Sequence, residues 1–118
     1  MLIDTHCHLT DAKYSDVKKV IEEAREAGVE QMFVQPTDIE DSKRVVAVAE
    51  QEGLYATVGV QPEFMDTVTD IEKTIYEIEE IVGASSRVIG IGEIGLDFSW
   101  DVERKTKEKQ VALFKAQM

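Results

Sequence analysis

The sequence predicts an α/β fold: four strand-then-helix units building one parallel sheet. Three observations predict it. Short apolar runs alternate four times with longer segments of helical spacing along the 118 residues, and such alternation implies parallel strands joined by right-handed crossovers. The strand runs are continuously apolar, as expected where both sheet faces are covered. The polar residues able to do chemistry collect at the C-terminal ends of strands: His6 and His8, Gln61 and Glu63, Glu93 and Asp97. A (βα)8 (TIM) barrel keeps its chemistry at that edge, and open α/β sheets also bind there. No Gly-rich phosphate fingerprint follows the first strand, and four units correspond to the first half of a barrel.

Taken in order, Leu2 to Cys7 is the first strand run, and Asp16 to Ala27 follows with Val17, Val20, Ile21 and Ala24 at helical spacing. Asp16 or Ser15 caps that helix and Gly28 stops it. Gln31 to Gln35 is the second strand. Asp41-Ser42 opens a helix carrying Val45, Val46, Val48 and Ala49, closed by Gly53. Tyr55 to Val60 is the third strand, ended by Gln61-Pro62-Glu63. Thr69 or Asp70 caps a third helix with Ile71, Ile75, Ile78, Ile81 and Val82 on one face. Val88 to Leu96 reads as a glycine-rich fourth strand. A charged helix is expected from near Val102 to the last residue, with Val111, Leu113 and Phe114 packing on the sheet.

Residues 1–118 therefore read as a single domain, with no linker or low-complexity tract. An apolar fraction of 43% and a charged fraction of 31% are those of a globular protein. No apolar stretch approaches the roughly 18 residues that span a bilayer, so no membrane partner is expected. Folding material begins at Met1-Leu2-Ile3-Asp4, which leaves no room for a signal peptide. The single cysteine excludes an internal disulfide and fits a reducing, cytoplasmic setting. A net charge of −11 argues against general affinity for nucleic acid or membrane. A bound cation would supply positive charge locally, so a nucleic-acid substrate stays open.

His6 and His8 are the only histidines. Two residues apart on a strand, they share a face while Cys7 takes the other, and two neutral imidazoles one pleat apart can hold one divalent cation. Cys7 is expected to be a buried filler rather than a nucleophile. Within Gly90-Ile91-Gly92-Glu93-Ile94-Gly95-Leu96-Asp97, a lone Glu among isoleucines and glycines is costly to bury unless paired or metal-bound. On an ideal strand Glu93, Gly95 and Asp97 share one face, so both carboxylates point to one site. For Asp97 a strand end already in water is an equal alternative. His6, His8 and Glu93 together make a three-ligand site with an open position. Asp4, on the face of His6, either orients a ligand from behind or makes a turn contact.

These segments carry a resemblance. Leu2-Ile3-Asp4-Thr5-His6-Cys7-His8-Leu9 and Val88-Ile89-Gly90-Ile91-Gly92-Glu93-Ile94-Gly95-Leu96-Asp97-Phe98 are similar to the TatD-type metal-dependent deoxyribonucleases, a branch of the amidohydrolase superfamily. Ala24-Arg25-Glu26-Ala27-Gly28-Val29, Thr37-Asp38 and the Gln110/Phe114/Gln117 spacing extend the likeness over the whole chain. The resemblance implies a (βα)8 barrel and hydrolysis of DNA or another phosphoester with divalent metals (Zn, Mn, Mg or Ni). It implies His6 and His8 on one metal, with Glu93 binding or bridging a second as the catalytic carboxylate.

Two departures qualify that expectation. The family commonly carries Gly-Val-His-Pro-His where this chain has Gly59-Val60-Gln61-Pro62-Glu63. Gln61 can still donate a hydrogen bond, but Glu63 repels a phosphate unless a cation lies between. Gln61, Glu63 and Asp97 are the expected substrate-binding residues. Second, the family's remaining histidine ligands and late catalytic aspartate lie on strands beyond the fourth. A homo-oligomer or a companion half-barrel is therefore an expected partner. The alternatives are a superfamily enzyme acting on a C–N or ester bond, or an inactive half-barrel acting only in assembly.

Overall fold

A computed structural model describes residues 2–118; Met1 lies outside the described residues. Four strands, β1 (Leu2–Cys7), β2 (Val29–Val34), β3 (Tyr55–Val58) and β4 (Val88–Ile91), form one sheet in the order β1-β2-β3-β4. Every neighbouring pair is parallel. The helices are α1 (Val17–Glu26), α2 (Ile39–Glu52), α3 (Ile71–Ala84) and α4 (Lys107–Gln117), with a 3-10 turn over Pro62–Thr67 after β3. The expected βα alternation is present four times.

The core forms where strands meet helices. Met32 and Val34 of β2 and Ala56 and Val58 of β3 alternate along their strands and bury with Ile21, Val45, Ala49, Ile78 and Leu113 of the helices. Burying each larger side chain contributes about 1.5–3 kcal/mol. The opposite sheet face is thinner: Phe33 stacks on Tyr55 with ring centroids 5.4 Å apart. The outer strands are open, leaving Leu2 and Ile3 of β1 and Ile89 and Ile91 of β4 exposed.

Caps fix the helix starts. The side chains of Asp16, Asp38 and Asp70 accept hydrogen bonds from the backbone N–H groups of Lys19, Asp41 and Lys73, as N-cap carboxylates do. Gly53 ends α2 at φ 70, a left-handed conformation that costs an L-residue about 1–2 kcal/mol. Gly53→Ala is accordingly expected to lower stability by about 1 kcal/mol in thermal unfolding, although a methyl there meets nothing within 4 Å.

Several boundaries differ from expectation. Helix α2 starts at Ile39 rather than Asp41-Ser42, because Asp38 and not Asp41 is the cap. Asp41 is buried and turns back to accept from Thr37 N–H at 2.9 Å. Strand β3 stops at Val58, not Val60. Strand β4 stops at Ile91, not Leu96, so the ideal-strand alternation of Glu93, Gly95 and Asp97 does not exist. Helix α4 begins at Lys107, not near Val102. The carboxylate of Asp101 accepts from the N–H groups of Lys105 (3.0 Å) and Thr106 (2.7 Å), and Arg104 sits at φ 54, so residues 101–106 are a bonded turn. Val82 lies 39% exposed at the end of α3, outside the packed stripe.

Candidate metal centre

The ends of β1, β3 and β4 converge on one place. His6 and His8 share a face as expected, with their Nε2 atoms 3.1 Å apart. Glu93 Oε2 lies 3.1 Å from His6 Nε2 and 3.5 Å from His8 Nε2. Among the described residues, these three form the one cluster of His, Cys, Asp and Glu ligand atoms close enough to hold a metal ion. Three ligand atoms about 2.1 Å from a common cation in a tetrahedral arrangement sit about 3.4 Å from one another. The observed separations bracket that value. Two imidazole nitrogens and a carboxylate oxygen at such distances repel unless a proton or a cation lies among them, so the donor set fits a divalent ion.

Strand β1 delivers the pair because Cys7 packs inward. Its thiol donates to Phe33 O at 3.6 Å, and burial, reinforced by the Asp4 carboxylate, pushes its pKa up to about 12. A thiol held there is a filler, as expected. Asp4 Oδ1 accepts from the His6 backbone N–H at 3.0 Å. It therefore touches the peptide of a ligand rather than its ring. One ring atom of the site, His8 Nδ1, is buried without a hydrogen-bond partner among the described residues.

Glu93 reaches the pair although it follows the strand. The last ladder bond runs from Gly92 N–H to Val58 O at 3.0 Å, and the Gly92–Glu93 peptide is cis. The segment then crosses close over β3, where a Cβ on Gly59 would lie 3.0 Å from Ile94 Cγ2 and 3.1 Å from Gly92 O. A side chain at position 59 would press on that segment, and glycine leaves it room. Beneath it, the Thr57 hydroxyl donates to Gln35 Oε1, and Gln35 Nε2 donates to Thr5 O at 3.3 Å, tying three strands together. Gly92 faces this pair; a Cβ there would meet Gln35 Oε1 at 3.5 Å.

Of the expected substrate-binding residues, Gln61 contacts the triad: its Nε2 donates to Glu93 Oε2 at 2.8 Å. Glu63 is exposed and lines two cavities beside the triad. One, of about 330 Å³, is also walled by Gln61, Glu93, Leu96 and Asp97. The other, of about 360 Å³, is walled by His8, Asp11, Thr37, Gln61 and Phe64. Asp97 stands in the first cavity but outside the triad. Its Oδ1 accepts from Ser99 N–H at 2.8 Å, and that bond holds its carboxyl below the usual range.

Helix α4 fastens the rim through two side chains to which the sequence pattern assigns no such role. The Gln110 amide bonds both ways to the backbone of Asp97, accepting from N–H at 2.9 Å and donating to O at 2.7 Å. The Gln117 amide does the same to Val60, at 2.7 and 3.2 Å. Both glutamines are buried and lie two helical turns apart, so they share a face. Two glutamines seven residues apart on the stripe of Leu113 were the available signal.

Comparison with known proteins agrees with this geometry. The family model described as TatD related DNase matches residues 3–118. The uncharacterized metal-dependent hydrolase YabD of Bacillus subtilis is 35% identical over 113 residues, 94% of this chain and 43% of that protein. The 3'-5' ssDNA/RNA exonuclease TatD of Erwinia amylovora is 31% identical over 99% of this chain and 44% of its own length. Among solved structures, the TatD homolog YJJV from Escherichia coli superposes with a TM-score of 0.86 at 30% identity, covering 98% of this chain and 44% of that one. The chain thus spans less than half the length of these relatives, and its four βα units match the first half of a TatD barrel. It belongs to the TatD-related DNase family.

Proposed function

We propose that the chain contributes the His6/His8/Glu93 side of a metal-dependent hydrolase that cleaves phosphodiester bonds in DNA or RNA. The convergence of three ligand atoms within 3.5 Å of one another carries the reading. A bound divalent ion would supply a water of lowered pKa and neutralise charge on the phosphodiester. His6 and His8 hold the ion, Glu93 completes the ligand set as the catalytic carboxylate, and Asp4 steadies His6 through its backbone. Gln61, Glu63 and Asp97 wall the space a substrate strand would enter. The relatives named as exonucleases supply the substrate class, and the open edges of β1 and β4 are where a second copy or a companion half-barrel would complete the barrel. Unpaired edges of that kind are otherwise prone to aggregation.

The test is cleavage of labelled single-stranded DNA and RNA after metal removal and reloading with Mn, Mg, Zn or Ni. Metal-stimulated cleavage that disappears in Glu93→Gln is the expected result. Metal binding without turnover under every loading would instead assign the chain to assembly alone. One observation favours a second reading, hydrolysis of a C–N or ester bond. Neither cavity beside the triad is lined by Lys or Arg, while Asp11, Glu63, Glu93 and Asp97 are all present. A panel of amide, ester and phosphodiester substrates separates the two. Among the described residues no helix is long and apolar enough to cross a membrane.

A further inference from the structure

We propose that Gln61 is a positioning residue for Glu93, its side-chain amide fixing the carboxylate oxygen that faces the two histidines. This rests on the reading of His6, His8 and Glu93 as a cation site. Glu93 needs outside support, because it lies beyond the last ladder bond of β4 and its carboxylate is 40% exposed. A side chain of that length loses about 1.5–2 kcal/mol of rotamer freedom when it is ordered. Gln61 supplies the order. Its backbone N–H donates to Thr37 O at 3.0 Å, so the residue is tied to the connection between β2 and α2. Its Nε2 then directs one hydrogen to Pro36 O at 3.4 Å and the other to Glu93 Oε2 at 2.8 Å. Pro36 is fully buried, so the amide has a rigid anchor on one side and the ligand on the other.

The contact falls on the same oxygen that approaches His6 Nε2 and His8 Nε2. Gln61 therefore sets which oxygen converges with the imidazoles and from which direction. A carboxamide suits this position because its nitrogen donates without charge and has no lone pair to offer a cation. It supports the ligand set without joining it. A lysine at this position would place a positive charge against the ion. Through Gln61, the connection after β2 joins the ends of β1, β3 and β4 in holding the site.

A double-mutant cycle on metal affinity tests this without recourse to activity. Co²⁺ is titrated into the wild-type chain, Gln61→Met, Glu93→Gln and the double variant, and followed by visible absorption and calorimetry. Gln61→Met is expected to weaken Co²⁺ binding about 10–100-fold and to alter the cobalt absorption bands. In the Glu93→Gln background the same change is expected to cost less than about twofold. An equal loss in both backgrounds, or none in either, overturns the positioning role and leaves the cation site standing. A wild-type chain that takes up no Co²⁺ overturns the cation site, and the positioning role with it.

Discussion

A chain carrying His6→Ala and His8→Ala is expected to fall from about one bound divalent ion to none after loading with Zn or Mn and removal of free ion. Two of the three converging ligand atoms are lost, and a single carboxylate with its Gln61 partner does not hold a cation against water. Elemental analysis per chain gives the direct answer. Thermal unfolding supplies an independent one. An ion that binds only the folded chain stabilises it by about 2.7 kcal/mol at a hundredfold excess over Kd, so the wild-type midpoint rises with metal while that of the variant stays flat. Without metal the variant is expected to unfold where the wild type does. Both imidazoles are substantially solvated, at 52% and 32% exposure, so their removal takes little buried contact from the fold. Unchanged metal content in the double variant would remove these residues from the ligand set.

The pairing of His6 with His8 was legible in the sequence because it rests on a short-range rule. Strand alternation puts His6 and His8 on one face and Cys7 on the other, and that arrangement is kept at the end of β1 although its register with β2 shifts between Asp4 and Cys7. The four βα units were equally legible, since the apolar periodicity of α1, α2 and α3 and the glycine at position 53 are local signals. What failed was alternation carried past the end of β4. Glu93 and Asp97 reach neighbouring positions through an irregular segment held by contacts far away in the chain: Gly59 beneath it, Gln110 against Asp97 and Gln61 against Glu93. No window along residues 88–97 contains those partners. The late start of α4 has the same character on a smaller scale. The charged stretch after Val102 reads as helix from the start, but the Asp101 carboxylate closes a turn over Lys105 and Thr106 first.

Gln61 shows how a residue can be placed from sequence while one of its partners cannot. Its position at the C-terminal end of β3 and its capacity to donate a hydrogen bond both follow from the sequence. That its donor meets a carboxylate 32 residues onward follows only from the fold. Glu63 is the converse. Its exposure keeps it in both cavity walls without a fixed partner among the ligand atoms, so its influence is electrostatic. An anion entering those cavities would meet it, and a cation bound at the triad would offset that repulsion.

Gln117→Ala is expected to destabilise the chain by about 2–6 kcal/mol, a large share of the roughly 5–15 kcal/mol that holds a domain of this size together. The reason is the backbone it serves. Val60 is 1% exposed, and both its N–H and its C=O bond to the Gln117 amide. Strand β3 has ended two residues earlier, so no strand neighbour takes over. Truncation leaves a buried donor and a buried acceptor unpaired, and each such group costs about 1–3 kcal/mol. Lys115→Ala, on the exposed side of the same helix, is expected to change stability by less than about 0.5 kcal/mol. Urea unfolding of the two variants measures the contrast, and a loss below about 0.5 kcal/mol for Gln117→Ala would show that water takes over the Val60 groups. Gln117→Glu adds a finer reading. It keeps an acceptor for Val60 N–H but turns a second oxygen toward Val60 O, so it is expected to destabilise nearly as much as alanine. Because Val60 directly precedes Gln61, loosening this clamp is also expected to weaken metal binding, from a helix that contributes no ligand to the triad.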